Sequence, residues 1–326
     1  MKKTTVKASS DIAFVKYWGK KDEVLRLPEN GSVSMILDGL DTITTVEFQK
    51  KIKADEVEIE GQSSGKEIKR VIKHLNRIRE LAGVDTFAKV VSKNNFPKGT
   101  GLSSSGSGFV ALTYAATLAL NLNLSEREMS ILARQGSGTA CRCSCGGFVE
   151  WKDGDTSETS FSETIFPRNH WDLRDVVAVV EETKKKVSST EGHKSASSSK
   201  FFSIRQQGIK NKIKKVKQAI KDQDFTKFGS LVEREALEFH SILLTSSPPL
   251  IMWHPGTIEV MQEVQAMRVA GVEAYFTINT GFNIHIITLP KYEKQVKERL
   301  VALSLVKKIL LAKVGDKPQQ ITAHLF

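Results

Sequence analysis

Apolar residues recur every three or four positions across residues 66–82, where Ile68, Val71, Ile72, Leu75, Ile78 and Leu81 fall on one stripe, and this spacing predicts an amphipathic helix. β-branched enrichment predicts strands at 4–13, 32–37 and 42–48, bounded by Pro-Glu-Asn-Gly and Asp-Gly turns. A continuous apolar run predicts a buried strand at 176–180, and a helix at 258–270 leads into a strand at 274–278. Ser125, with Glu126 and Glu128 in the turn that follows, marks another helix start. Strands and helices are mixed in order, with no internal repeat and no long linker, which predicts an α+β fold.

Between a predicted strand at 87–91 and an apolar helix at 109–122 lies the sequence Pro-Lys-Gly-Thr-Gly-Leu-Ser-Ser-Ser-Gly-Ser-Gly, residues 97–108. Small residues directly before a helix let backbone N–H groups and hydroxyls converge where unsatisfied donors and the helix dipole attract anions. The loop therefore predicts a site for the phosphates of a nucleotide triphosphate. It lacks the Gly-Lys-Ser/Thr ending of the Walker loop and does not fit the dinucleotide fingerprint. A flexible Gly/Ser linker is the alternative, and the strand before and helix after count against it.

The 326 residues, 40% hydrophobic, suffice for one large domain or two intimate ones. No apolar run approaches the roughly 20 residues that span a bilayer. The opening Met1-Lys2-Lys3-Thr4 lacks the apolar segment of a signal peptide, so a soluble cytoplasmic protein without a membrane partner is expected. The net charge of +11 invites a nucleic-acid reading. Much of the excess, however, lies at 184–186 and at Lys210, Lys212, Lys214, Lys215, Lys217 and Lys221, with no nucleic-acid motif around them. Ile209, Ile213, Val216 and Ile220 recur at helical spacing, which puts most of those lysines on a solvated helix face. No nucleic-acid partner is expected; a basic surface would instead steer an anionic small molecule. Cys141, Cys143 and Cys145 form no disulfide framework. In an extended segment they would share a face and could hold a soft metal, but no Cys or His partner is near, so they are expected as small buried residues.

Four ordered blocks resemble one family. Residues 11–20 (Asp-Ile-Ala-Phe-Val-Lys-Tyr-Trp-Gly-Lys), the loop at 97–108, residues 136–147 (opening Gly-Ser-Gly-Thr-Ala-Cys-Arg) and residues 188–192 (Ser-Ser-Thr-Glu-Gly) are similar to the signatures of diphosphomevalonate decarboxylases, members of the GHMP kinase superfamily. Phe239-His240 and Pro248-Pro249 stand where that family has them. The resemblance implies a two-part GHMP-kinase-like α+β fold with the active site in the cleft between an N-terminal ATP-binding domain, residues 1–170, and a C-terminal domain, residues 171–326. It further implies a homodimer and a reaction in which ATP phosphorylates the tertiary 3-hydroxyl of (R)-5-diphosphomevalonate. Loss of that phosphate then drives release of carbon dioxide and leaves isopentenyl diphosphate. A decarboxylase of phosphomevalonate or the 3,5-bisphosphate, a 3-kinase that stops before decarboxylation, and a binding protein without turnover stand as alternatives.

The resemblance also implies roles. ATP would sit on Lys98, Gly99, Gly101, Leu102, Ser103, Ser104, Ser105 and Gly106, with the Ser104 and Ser105 hydroxyls available to Mg²⁺, which prefers oxygen ligands. Tyr17, Trp18, Gly19 and Lys20 would contact the substrate phosphates, although by themselves they read as a strand end with a packed aromatic. Ser137, Gly138, Thr139, Ala140, Cys141 and Arg142 would form the opposite wall, the Arg142 fork suiting a planar carboxylate; alone, Arg142 reads equally as a salt-bridge partner. Ser189 and Thr190 would make a third clamp in what otherwise reads as a mobile polar loop, and Lys66 lies near the place of a basic phosphate contact. His240 is expected to pack or cap, and His193 follows the substrate-like block directly.

The chain departs from the pattern in Phe282 for proline, in Cys-Ser-Cys after Arg142 and, with most bearing on the chemistry, at position 279. Where the family carries an aspartate, the proposed base for the 3-hydroxyl, this chain reads Asn279-Thr280-Gly281-Phe282-Asn283. An amide holds a hydroxyl by hydrogen bonding but does not take its proton at neutral pH. Asn279 is thus expected to orient the hydroxyl at a large cost in rate, or another group serves as base.

Overall fold

A computed structural model describes residues 2–183, 185 and 187–326, so Lys184 and Lys186 of the basic run lie outside the described residues. The first half contains β1 (Thr4–Val15), β2 (Lys20–Asp22), β3 (Leu27–Pro28), β4 (Ser32–Gln49), β5 (Glu56–Ile59), α1 (Lys66–Ala82), β6 (Phe87–Asn94), α2 (Ser104–Ala119), α3 (Glu126–Gly136), α4 (Ala140–Cys143), β7 (Phe148–Trp151) and β8 (Ser162–Phe166). The second half contains β9 (Arg174–Val179), α5 (Ser189–Lys194), α6 (Phe202–Asp222), α7 (Phe225–Leu244), α8 (Pro255–Val269), β10 (Ala274–Thr277), β11 (Ile284–Thr288), α9 (Pro290–Val301), β12 (Lys308–Val314) and β13 (Gln319–Ile321).

One sheet joins the two halves. Its main path runs β10-β11-β9-β12-β4-β1-β13, with β6 and β7 pairing opposite ends of β4, and among the described residues only β5 and β6 are parallel. The strands predicted at 32–37 and 42–48 are a single strand. The expected Asp-Gly turn is a bulge between the pairs Ser9↔Asp41 and Ser10↔Leu37, where β12 joins β4 at Lys313↔Asp38. Gly39 permits this junction: its φ is +116°, and a Cβ there would lie 2.6 Å from the Leu311 carbonyl oxygen. Other expectations hold closely. The stripe over 66–82 is α1, closed by left-handed Gly83, and Ser125 caps α3 in a reciprocal capping box with Glu128.

Packing explains why the halves are intimate. One buried cluster combines Phe14, Leu37 and Phe148 with Val177, Phe228 and Val232, so the sequence boundary near Trp171 crosses a shared core. A second cluster lies under α1 and α2, and a third beneath α8 and α9. Among the described residues, no helix is long and apolar enough to cross a membrane.

Candidate active site

The floor of the cleft is formed by β1, which carries Asp11, and by Lys16 directly after it. Asp11 is fully buried and Lys16 nearly so. Asp11 Oδ2 accepts from Arg142 Nε at 2.6 Å, while Oδ1 accepts from the Ser103 hydroxyl at 2.9 Å. Arg142 Nη1 donates to Ser32 Oγ at 3.0 Å, and its guanidinium lies 6.0 Å from the Tyr17 and Trp151 rings. Burial disfavours the Arg142 charge, but attraction from Asp11 outweighs it and holds the pKa above its ordinary value. Arg142 is thus a salt-bridge partner, one of its two readings: one edge is committed to Asp11.

The helix expected from 109 begins at Ser104, so Ser104 to Gly108 form its first turn. No side chain caps this N-terminus, leaving first-turn N–H donors without intrahelical partners, which suits a phosphate group. Gly99 and Gly101 have φ of +78° and +99°, and a Cβ on Gly101 would lie 2.7 Å from Gly281 Cα. The loop thus abuts the turn that follows Asn279. The exposed Ser105 hydroxyl is 3.3 Å from that of Ser137, and Ser104 Oγ accepts from Gly99 N at 3.4 Å. These uncharged oxygens fit a hard cation that arrives with a nucleotide. Among the described residues no cluster of three His, Cys, Asp or Glu could hold a metal by itself. Lys98 pairs with Glu67 at 2.7 Å, whereas the Leu102 side chain is core and only its backbone belongs to the loop. Beside the loop a narrow recess between α1, β6 and α2 is lined by Val71, Val90, Phe109 and Leu112.

Along the wall after β1, Tyr17 stacks on His193 and tilts against Trp151. Burial raises the Tyr17 phenol to about 12. The Trp18 ring is core, packed on Phe239, so only its backbone lines this wall. Gly19 N donates to His193 Nδ1 at 3.0 Å, which makes Nδ1 the acceptor; with burial pushing the ring's pKa well below 6.5, His193 is a neutral support for residues 17–19. Lys20 reaches Glu23 at 2.9 Å, and burial lowers its pKa. Gly138 sits where a Cβ would lie 2.6 Å from the Tyr17 hydroxyl, and the Ser137 and Thr139 hydroxyls are 3.3 Å apart. Ala140 and Cys141 face the interior: Cys141 Sγ lies 3.1 Å from both the Ser130 and Ser162 hydroxyls. Because 140–143 is helical, the three cysteines do not share an extended face, and all are buried.

The opposite lip is organised by a residue the sequence reading missed. Lys185 Nζ donates to Ser189 Oγ at 2.7 Å and to the Thr280 carbonyl and hydroxyl at 2.5 and 3.0 Å, and its backbone N donates to Gly99 O at 3.2 Å. It thereby fastens the phosphate loop, Ser189 and the 279–283 turn together. Burial alone lowers its pKa to about 8. Ser189 opens α5 and Thr190 follows it, half-buried, with Ser188 and Glu191 forming the capping box. Lys66 is exposed at the start of α1.

Asn279 follows β10, and its Oδ1 accepts from Lys16 Nζ at 3.0 Å. The same ammonium donates to Ala13 O at 2.5 Å and Thr277 Oγ1 at 2.7 Å. Burial, only partly offset by Glu235, brings the Lys16 pKa to about 7. His240 Nε2 lies 3.1 Å from the Asn279 carbonyl oxygen, a supporting hydrogen bond as expected of a packed histidine. Neither Asp11 nor Lys16 was singled out in the sequence; the signal for both was a charge flanking the short apolar run Ile12 to Val15, which is buried.

A phosphate-ready helix start, facing buried cations across one cleft of a two-part α+β fold, defines a protein that handles polyanionic small molecules. Residues 8–162 match the model of the diphosphomevalonate decarboxylase-like N-terminal domain, and residues 175–320 that of the mevalonate 5-diphosphate decarboxylase C-terminal domain. The diphosphomevalonate decarboxylase of Candida albicans is 33% identical over 321 residues, 93% of this chain and 88% of the relative. The mevalonate diphosphate decarboxylase of Staphylococcus aureus superposes with a TM-score of 0.93 at 34% identity, covering 98% of both chains. A solved complex of MDDEF with MVAPP, AMPPCP and magnesium gives a TM-score of 0.91 at 35% identity, covering 98% of this chain and 99% of that one. The chain belongs to the diphosphomevalonate decarboxylase family.

Proposed function

We propose that this chain is a carboxy-lyase that uses ATP and Mg²⁺ to convert (R)-5-diphosphomevalonate to isopentenyl diphosphate, ADP, phosphate and carbon dioxide. The observation that carries the reading is the Lys185 junction, which brings the phosphate loop, Ser189 and the Asn279 turn to one cleft in a member of this family. The phosphates of ATP lie on residues 98–106, and Mg²⁺ is met by the Ser104 and Ser105 hydroxyls. Mg²⁺ supplies neutralisation of the triphosphate charge. Lys20, with the backbone of 17–19, holds the diphosphate of the substrate. Arg142 offers its remaining donors to the carboxylate, with Ser137 and Thr139 alongside. Ser189, Thr190 and Asn279 position the 3-hydroxyl by hydrogen bonds, which suits a reaction whose catalysis is largely positioning and electrostatics.

We place the division between ATP-binding and C-terminal parts at 170/171, and carry over from the family resemblance a cytoplasmic homodimer, which sedimentation velocity tests. The activity is tested by incubating the chain with ATP, Mg²⁺ and, in separate arms, mevalonate, its 5-phosphate, its 5-diphosphate and its 3,5-bisphosphate, while ADP and carbon dioxide are followed. Carbon dioxide fastest from the 5-diphosphate is expected. Preference for the monophosphate, ADP without carbon dioxide, or no turnover in any arm selects one of the alternatives instead.

A further inference from the structure

Resting on that reading, the proton of the 3-hydroxyl needs an acceptor, and Asn279 is not one. Lys16 Nζ donates to the amide oxygen, and its remaining contacts, Ala13 O and Thr277 Oγ1, hold it within the protein and away from a further partner. With its oxygen taken by Lys16, Asn279 keeps only its NH₂ group, a donor, for a further partner. A second feature of the cleft is unexplained by anchoring of phosphates. Ser103 stands at the N-cap of α2 with φ of +60°, a left-handed conformation unfavourable for a residue with a Cβ. An N-cap serine ordinarily turns its hydroxyl to a first-turn N–H; Ser103 makes no such bond and donates instead to Asp11. Strained residues of this kind persist where their surroundings over-determine them, and they cluster at functional sites. Having given its hydrogen to Asp11, the half-buried Ser103 oxygen keeps its lone pairs for a further donor. Asp11 links the phosphate loop, through Ser103, to Arg142 on the substrate wall, and Arg142 balances its buried charge.

We propose that Ser103 accepts the proton of the 3-hydroxyl, with Asp11 behind it as the carboxylate that receives the serine's own hydrogen. As the hydroxyl oxygen uses a lone pair to bond the γ-phosphorus, the bond from that phosphorus to the β-bridging oxygen breaks and its electron pair leaves with ADP. The hydroxyl proton passes to Ser103 Oγ, and the former Ser103 hydrogen passes to Asp11 Oδ1. In the second half the C3–O bond breaks with its pair on phosphate. The pair of the bond between the carboxylate carbon and C2 becomes the C2–C3 double bond, and carbon dioxide departs. Asp11 returns its proton through Ser103 to the phosphate, so the site is restored. An aspartate that accepts a substrate hydroxyl proton during phosphoryl transfer has direct precedent in protein kinases.

Ser103→Ala keeps the Cβ and the backbone strain while removing the relay atom. With ATP and diphosphomevalonate, its kcat for carbon dioxide release is expected to fall by about 10²–10⁴, the range for a positioned proton acceptor. Affinity for a non-hydrolysable ATP analogue, read by calorimetry, changes far less than kcat, since position 103 meets the phosphates through its backbone. Asp11→Asn reproduces the loss in kcat, and the double variant is no worse than either single one, since the two act as a unit. The discriminating arm is Ser103→Ala with Asn279→Asp: a carboxylate restored at 279 recovers most of the lost rate, which would not follow if Ser103 only shaped the loop. A parent that turns over beside an equally fast Ser103→Ala overturns the relay alone, and so does a Ser103→Ala loss that Asn279→Asp fails to recover. A parent that releases no carbon dioxide from any phosphorylated mevalonate overturns the functional reading and the relay with it.

Discussion

The Lys185 ammonium lies 2.7 Å from the Ser189 hydroxyl, in a pocket where burial alone lowers its pKa to about 8. Burial is the cause of that shift, so the site holds a cation whose natural complement is an incoming anion.

That cation should make ATP binding proton-linked. Near pH 8 the ammonium is partly deprotonated, and phosphate charge brought beside it raises its pKa, so binding takes up protons. Calorimetry in two buffers of different ionisation enthalpy is expected to show uptake at pH 8 that shrinks toward pH 6. Lys185→Met should reduce the uptake and weaken ATP binding by about 10–100-fold, the weight of a hydrogen bond to a charged group. Equal uptake in parent and variant would place the linkage elsewhere.

Lys185 shows why part of this site was illegible in the chain. In sequence it belongs to a lysine run that reads as solvated charge; only the approach of Gly99 and Thr280, distant in sequence, buries it. The bulge at 38–41 was missed for a similar reason, because Asp-Gly is a turn signal unless another strand, here β12, pairs across it. By contrast α1, the capped α3 and the loop before α2 were legible, since periodicity, capping residues and small-residue runs act locally. Which edge of Arg142 would be free depended on Asp11, 131 positions away.

The committed edge of Arg142 predicts an asymmetric effect. Arg142→Lys retains a charge near Asp11 but cannot also reach Ser32 and the substrate carboxylate in fork geometry. Decarboxylation is expected to fall by about 10²–10³, as for removal of one preorganised donor. A titration with an ATP analogue should be nearly unaffected. Undiminished decarboxylation would remove Arg142 from the substrate wall.

Gly101 and Gly281 meet where the phosphate loop touches the Asn279 turn. Gly101→Ala must accept a φ of +99° and a Cβ 2.7 Å from Gly281 Cα, backbone that has no side-chain freedom to yield. The left-handed conformation alone costs about 1–2 kcal/mol. The variant is expected to keep its circular dichroism but to bind ATP at least tenfold more weakly, since 1.4 kcal/mol is a factor of ten. Parent-like affinity would mean that the two segments are not held this closely in solution.

The three cysteines should be inert. All are buried, and burial raises each thiol, Cys145 to about 12, so little thiolate exists at pH 8. A thiol reagent such as DTNB is expected to label none of them quickly in the native protein and all three after denaturation. Fast native labelling would reopen a redox or metal role.

Glu235 joins stability to the site through Lys16. Its carboxylate is buried, pairs with Arg205, accepts from Lys212 at 2.7 Å and accepts from the Lys16 backbone N at 3.1 Å. Burial pushes its pKa up, but Arg205 and Lys212 prevail and hold it below 4.5. Glu235→Gln leaves Arg205 buried without its carboxylate, an arrangement that typically destabilises by about 3–5 kcal/mol. Because the folded pKa is depressed, the stabilisation is fully present above the unfolded value and is lost as pH falls through the folded one. Urea melts should therefore show a large gap between parent and variant at pH 7 that narrows below about pH 4.5. The variant should also turn over more slowly, because Lys16, and with it the Asn279 amide, loses one of its fixed supports. A gap that does not change with pH would mean that the carboxylate acts by shape and not by charge.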